Sequence, residues 1–201
     1  MTHLHKEDNH TKISTSRLEA FSDGVIAIII TITVLELKTP LGETKDVLFP
    51  LIPLFITYII SFQTIGTYWN NHHHLIQATK HVSPGIMWAN LHLLFWLSLI
   101  PFATGWLGEN HGGSVPTAFY ACILLACAIA YTILQQIVLI HAENSHALKE
   151  EIKRSWKGKI SLLSYLLSIP LAFVNPIISD ILIIAVSMMW FIPDRRIEKH
   201  L

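Results

Sequence analysis

The residues best suited to chemistry stand at the two ends of two apolar runs. Glu19 and Asp23, one helical turn apart, open the run GVIAIIITITVL, and Trp69 with His72, His73 and His74 closes a second run. The uncharged stretch Gly24 to Leu35 has 12 residues, or about 18 Å of helix, against a hydrocarbon core of about 30 Å. A spanning helix must therefore carry Asp23, and Glu19 and Arg17 before it, into or beside the bilayer. Ionisable groups there are costly and need partners. Asp23 with a histidine suits a proton relay, a metal site or a hydrogen-bonded lock. Consecutive histidines point in different directions on a helix, so at most one or two can join one metal site. The lock needs only indole, hydroxyl and imidazole donors around the carboxylate. Protonation of His72 would make such a lock pH-sensitive.

The elements that must position these groups are membrane helices. The 201 residues are 52% hydrophobic and 14% charged, with a mean hydropathy of +0.48, more apolar than soluble domains usually are. No Asp, Glu, Lys or Arg occurs in 47–79, 81–108, 110–142 or 160–179. The first three windows exceed the roughly 20 residues a spanning helix needs. MTHLHKEDNHTKISTS has no apolar core before a cleavage site, so residues 1–16 read as a polar tail and the first span as the insertion signal. Cys122 and Cys127, about 140° apart on one helix, cannot pair and read as apolar fillers. The balanced formal charge gives no sign of a nucleic-acid partner.

Ser83-Pro84, Asn175-Pro176 and Pro116 mark helix starts. They predict an all-α integral membrane protein with six spans, at 17–38, 47–71, 84–107, 116–141, 157–174 and 176–193, followed by a tail over 194–201. The last pair also reads as one kinked element around Asn175-Pro176. Of the 14 lysines and arginines, all but Lys38 and Lys45 fall on one side of this layout. The bias makes that side, with both termini, cytoplasmic. Trp69, Trp106, Trp156 and Trp190 suit the interfaces with lipid. No internal repeat is visible, so a symmetric pathway would need several copies of the chain.

In this orientation Asp23 stands about 9 Å of helix rise above Arg17. The inward second span delivers Trp69, His72 and His73 to the same level, and the third starts there with Asn90. A polar cluster of Arg17, Ser22, Asp23, Trp69, His72, His73 and Asn90 is predicted. Gly24, Ile28, Thr31 and Leu35 form one stripe, with Ile32 beside it, and Asp23 lies about 140° from Ile28. The carboxylate would face the bundle and the stripe a partner. Spacing alone leaves two readings of the stripe, a packing seam or a pore with apolar rings and threonine oxygens. Asn90, His92, Pro101 and Pro170 read as helix-contact or bending features, Asp180 as interfacial, and KEEIKRSWKGK as a solvated helix extension.

Arg17-x-x-x-Phe21-Ser22-Asp23 at the head of an apolar first span resembles the signature of the transmembrane protein 175 family of potassium channels. Trp69-x-x-His72-x-x-Leu75 is similar to a second motif of that family. The resemblance covers nearly the whole chain and implies a single-repeat bacterial form that assembles as a homotetramer in the cell membrane. It implies no enzyme activity and no cofactor, with potassium and other monovalent cations as the permeant species. The first span would line the pore, with a constriction at Ile28, further apolar contacts from Ile32 and Leu35, and a selectivity-determining hydroxyl ring at Thr31. Arg17, Phe21, Ser22 and Asp23 would then be a lock among helices around the pore. A proton-coupled transporter using Asp23 and His72 is the rival from another class, and an intramembrane metalloenzyme a second.

Overall fold

The structure, a computed structural model, describes residues 14–79, 81–141 and 156–191. Residues 1–13 of the expected N-terminal tail, the tail expected at 194–201, and most of the basic KEEIKRSWKGK segment lie outside the described residues, whereas Thr15 and Ser16, expected in the tail, already belong to the first helix. Seven α-helices account for most of what is described, and no strand occurs among these residues. They are α1 (Thr15–Leu35), α2 (Ile52–Gln77), α3 (Pro84–Leu97), α4 (Ile100–Glu109), α5 (Ser114–His141), α6 (Trp156–Val174) and α7 (Pro176–Phe191). Two 3-10 turns, Lys45–Val47 and Phe49–Leu51, lead into α2.

Helix α5 is the hub, packing on α3, α4 and α6, while α7 lies against α6 and touches α2 and α5. Helix α1 rests on α2, α3 and α4. The core between them is filled by Ile26, Ile65, Ile76, Leu93, Leu97, Leu124 and Tyr120. In lipid, association relies on close packing and hydrogen bonds between helices, because the tails are as apolar as leucine. The α6–α7 contact shows this. Ser161, Ser164, Ser168 and Ala172 are buried along α6, Ser179 of α7 donates to the Ser168 carbonyl at 2.9 Å, and Trp190 of α7 donates to Ser161 at 3.0 Å.

The expected caps are present: Ser83 Oγ accepts from the Ile86 amide at 3.3 Å, and Asn175 Oδ1 accepts from the Ile177 amide at 3.0 Å. Asn175-Pro176 thus separates two helices. Two expectations need correction. The second span's helix runs to Gln77 rather than 71 and begins at Ile52, so all three histidines are helical. The third span is not one helix but two, α3 and α4, broken at Ser98 and Leu99. Pro101 supplies no amide for the Leu97 carbonyl, and the chain closes instead with the tighter bond from Leu99 to the Trp96 carbonyl at 3.2 Å. Among the described residues, five helical stretches are long and apolar enough to cross a membrane, with α3 and α4 counted as one stretch. Helix α7 has 16 residues, shorter than the other candidates.

Candidate functional site around the first helix

Helix α1 has two faces of opposite character. Ser22, Ile26, Ile29 and Thr33 fall at helical spacing and are buried, with Leu18 at their foot. Arg17, Phe21, Gly24, Ile28, Thr31, Ile32 and Leu35 are exposed; Ile28 is 58% and Leu35 76% exposed. The predicted stripe is therefore an unpartnered face of the single chain. Thr31 donates its hydroxyl proton to the Ile28 carbonyl at 2.9 Å. That bond occupies the donor and leaves the oxygen's lone pairs free to accept.

Behind this face the polar cluster is built from two separate parts. The buried part runs one way: His72 Nε2 bonds Asn90 Oδ1 at 2.7 Å, Asn90 Nδ2 donates to Ser22 Oγ at 2.9 Å, and Ser22 donates to the Leu18 carbonyl at 2.8 Å. Because the amide nitrogen of Asn90 is spent on Ser22, its oxygen accepts, and His72 carries its proton on Nε2. His72, Asn90 and Ser22 are wholly buried, and His72 Nδ1 has no partner among the described residues. The chain ties α2 and α3 to α1.

The second part lies on the open flank between α1 and α2. Trp69 Nε1 donates to Asp23 Oδ1 at 2.9 Å, and one turn away His73 Nδ1 meets Glu19 Oε1 at 2.5 Å. Gln77 Nε2 donates to His73 Nε2 at 3.0 Å, leaving Nδ1 as the nitrogen that donates to Glu19. Trp69 and His73 stack with ring centroids 6.4 Å apart. Two groups one turn apart on α1 thus meet two groups one turn apart on antiparallel α2.

These positions revise several expectations. Asp23 does not point into the packed bundle; it is half-buried, and its bond to Trp69 is exposed. Arg17 and Phe21 belong to the exposed face and make no polar contact with the cluster among the described residues. Asp23 and His72, paired in a relay reading, hydrogen-bond different partners. Of the three histidines, His73 touches the first helix directly, His72 reaches it through Asn90, and His74 lies edge-on to His73 at 5.4 Å. Glu19 and Gln77 were absent from the predicted cluster. Their signal is the matched spacing of Glu19 and Asp23 with His73 and Trp69.

The comparisons with known proteins agree with this architecture. The profile of the endosomal/lysosomal potassium channel TMEM175 family matches residues 17–101. A potassium channel of Chryseobacterium sp. (strain P1-3) is 50% identical over 189 residues, 94% of this chain and 98% of that protein. The mouse endosomal/lysosomal proton channel TMEM175 is 32% identical over 108 residues, 48% of this chain but 22% of the mouse protein. The crystal structure of a lysosomal potassium-selective channel TMEM175 homolog from Chamaesiphon minutus shares the fold with a TM-score of 0.75 and 29% identity, covering 88% of this chain and 95% of that one. These relatives are ion channels and not enzymes. With its length matched almost end to end by a relative of 50% identity, this multi-pass membrane protein belongs to the transmembrane protein 175 family.

Proposed function

We propose that four copies of this chain form a potassium-permeable, weakly selective cation channel, with α1 from each copy lining a central pore. The observation that carries the reading is the division of α1. One face is sealed into its own bundle by the Ser22–Asn90–His72 chain, while Phe21, Ile28, Thr31 and Leu35 remain uncovered. On a pore axis, rings of Ile28, Ile32 and Leu35 form an apolar constriction that excludes water when narrow. The acceptor oxygen of Thr31 between them replaces part of a cation's hydration shell. The relative from Chryseobacterium named as a potassium channel supports potassium as the ion. The layout in the cell membrane is six spans with both termini cytoplasmic, α7 being the sixth, on the strength of the lysine and arginine bias. Ser22, Asp23, Trp69, His72, His73 and Asn90 hold the pore helix in place rather than conduct.

The experiment is passive potassium flux into liposomes containing the purified chain. Ile28→Asn hydrates the narrowest ring and raises flux several-fold over the natural chain. Flux unchanged by Ile28→Asn removes Ile28 from the constriction. Saturable uptake driven by a proton gradient would instead identify a coupled transporter.

A further inference from the structure

At the end of α1 opposite Arg17, three charged side chains gather. Helix α1 ends at Leu35, and Glu36 continues the register of the buried stripe through Ile29 and Thr33, which turns its carboxylate toward α4. Gly105 of α4 makes room for it. A Cβ at that position would collide with Glu36 Oε2 and lie 3.0 Å from its Cδ. Two residues on, Lys38 Nζ pairs with Glu109 Oε1 at the end of α4, at 2.5 Å. The hydrogen bond and charge of Glu109 hold the Lys38 ammonium above its ordinary range, so it stays cationic. The Glu36 carboxylate makes no hydrogen bond or ion pair among the described residues, though its charge adds to that of Glu109 in keeping Lys38 cationic. Two carboxylates share one ammonium, so this group carries one net negative charge in each copy.

We infer that Glu36, seated on Gly105 and left unpaired by the Lys38–Glu109 bridge, gives the pore mouth a fixed negative potential that concentrates permeant cations. The inference rests on α1 lining the pore. Four copies place four such charges around the mouth, each on the order of 10 Å from the axis for helices 10–12 Å across. Screening acts over about 10 Å at 0.1 M salt and about 3 Å at 1 M. Four charges at that range enrich cations about two- to threefold at 0.1 M and scarcely at 1 M. Leu35, the apolar neighbour on the exposed face, has no charge to contribute.

Single-channel conductance of the full chain in planar bilayers, in symmetric 0.1 M and 1 M potassium chloride, where the Debye lengths differ about threefold, tests this. Glu36→Gln keeps the shape seated on Gly105 and removes the charge. It lowers conductance about two- to threefold at 0.1 M and leaves it near that of the natural chain at 1 M. Lys38→Gln frees the Glu109 charge and raises conductance at 0.1 M. A purely structural clamp would move both variants in the same direction and equally at both salt concentrations. That pattern, or unchanged conductance for Glu36→Gln at 0.1 M, overturns the inference and leaves the channel reading standing. A natural chain that passes no potassium overturns the pore reading, and this inference with it.

Discussion

Ser22, Asn90 and His72 are the residues on which the position of α1 depends most. Asn90 serves two buried partners at once, accepting from His72 and donating to Ser22. Removing it leaves a buried hydroxyl and a buried imidazole each short of a bond, and a stranded buried polar group costs about 1–3 kcal/mol. Transmembrane hydrogen bonds measured individually are smaller, about 0.6 kcal/mol on average, so the lower part of that range applies. Asn90→Ala should therefore lower stability by about 1–2 kcal/mol. Trp69→Phe removes one bond to Asp23 on an exposed flank and should cost less. Thermal denaturation of both variants in one detergent checks the order, and an equal or larger loss for Trp69→Phe would put the lock on the flank instead. The need for partners was legible in the sequence from Asp23 alone, because a carboxylate at that depth needs them. The choice between adjacent histidines was not. His72 and His73 differ by about 100° on a helix whose phase relative to α1 is set by packing.

At the scale of elements, composition and helix starts located the helices because each rests on local physics: uncharged windows, and a capping side chain before proline. The break inside the third span depends instead on surroundings. A proline in a membrane helix is often absorbed as a mild bend, and here the surrounding packing accommodates two helices meeting at Ser98 and Leu99. The short α4 that results packs against α2. Gly108 lies against Leu54, where an added Cβ would stand 3.0 Å from the Leu54 Cα, a backbone atom that side-chain rotation cannot move. Gly108→Val must therefore separate the two helices, and overpacking of this kind costs about 1–3 kcal/mol. A lower melting temperature for purified Gly108→Val is the expected result. A melting temperature equal to that of the natural chain would mean that the α2–α4 contact yields without loss.

For the whole molecule, the exposed stripe of α1 divides two surroundings, lipid or copies of the same helix. Its apolar side chains suit either, and this is why spacing alone could not assign it. Cysteine cross-linking places the axis. In a Cys122→Ser, Cys127→Ser background, Leu35→Cys puts one thiol per chain on the proposed axis. Disulfides need Cβ atoms about 3.5–4.5 Å apart, a separation that copies reach only where they converge. Ile129 on α5 is also exposed, at 45%, but lies off α1 and serves as the control. Oxidised Leu35→Cys should migrate on a denaturing gel at about twice the 22.8 kDa of one chain, since one thiol links only two chains. The native mass should stay near four times that value. Ile129→Cys should remain at the single-chain mass. Cross-linking at Ile129 but not at Leu35 would place α5 between the copies and return the stripe of α1 to lipid.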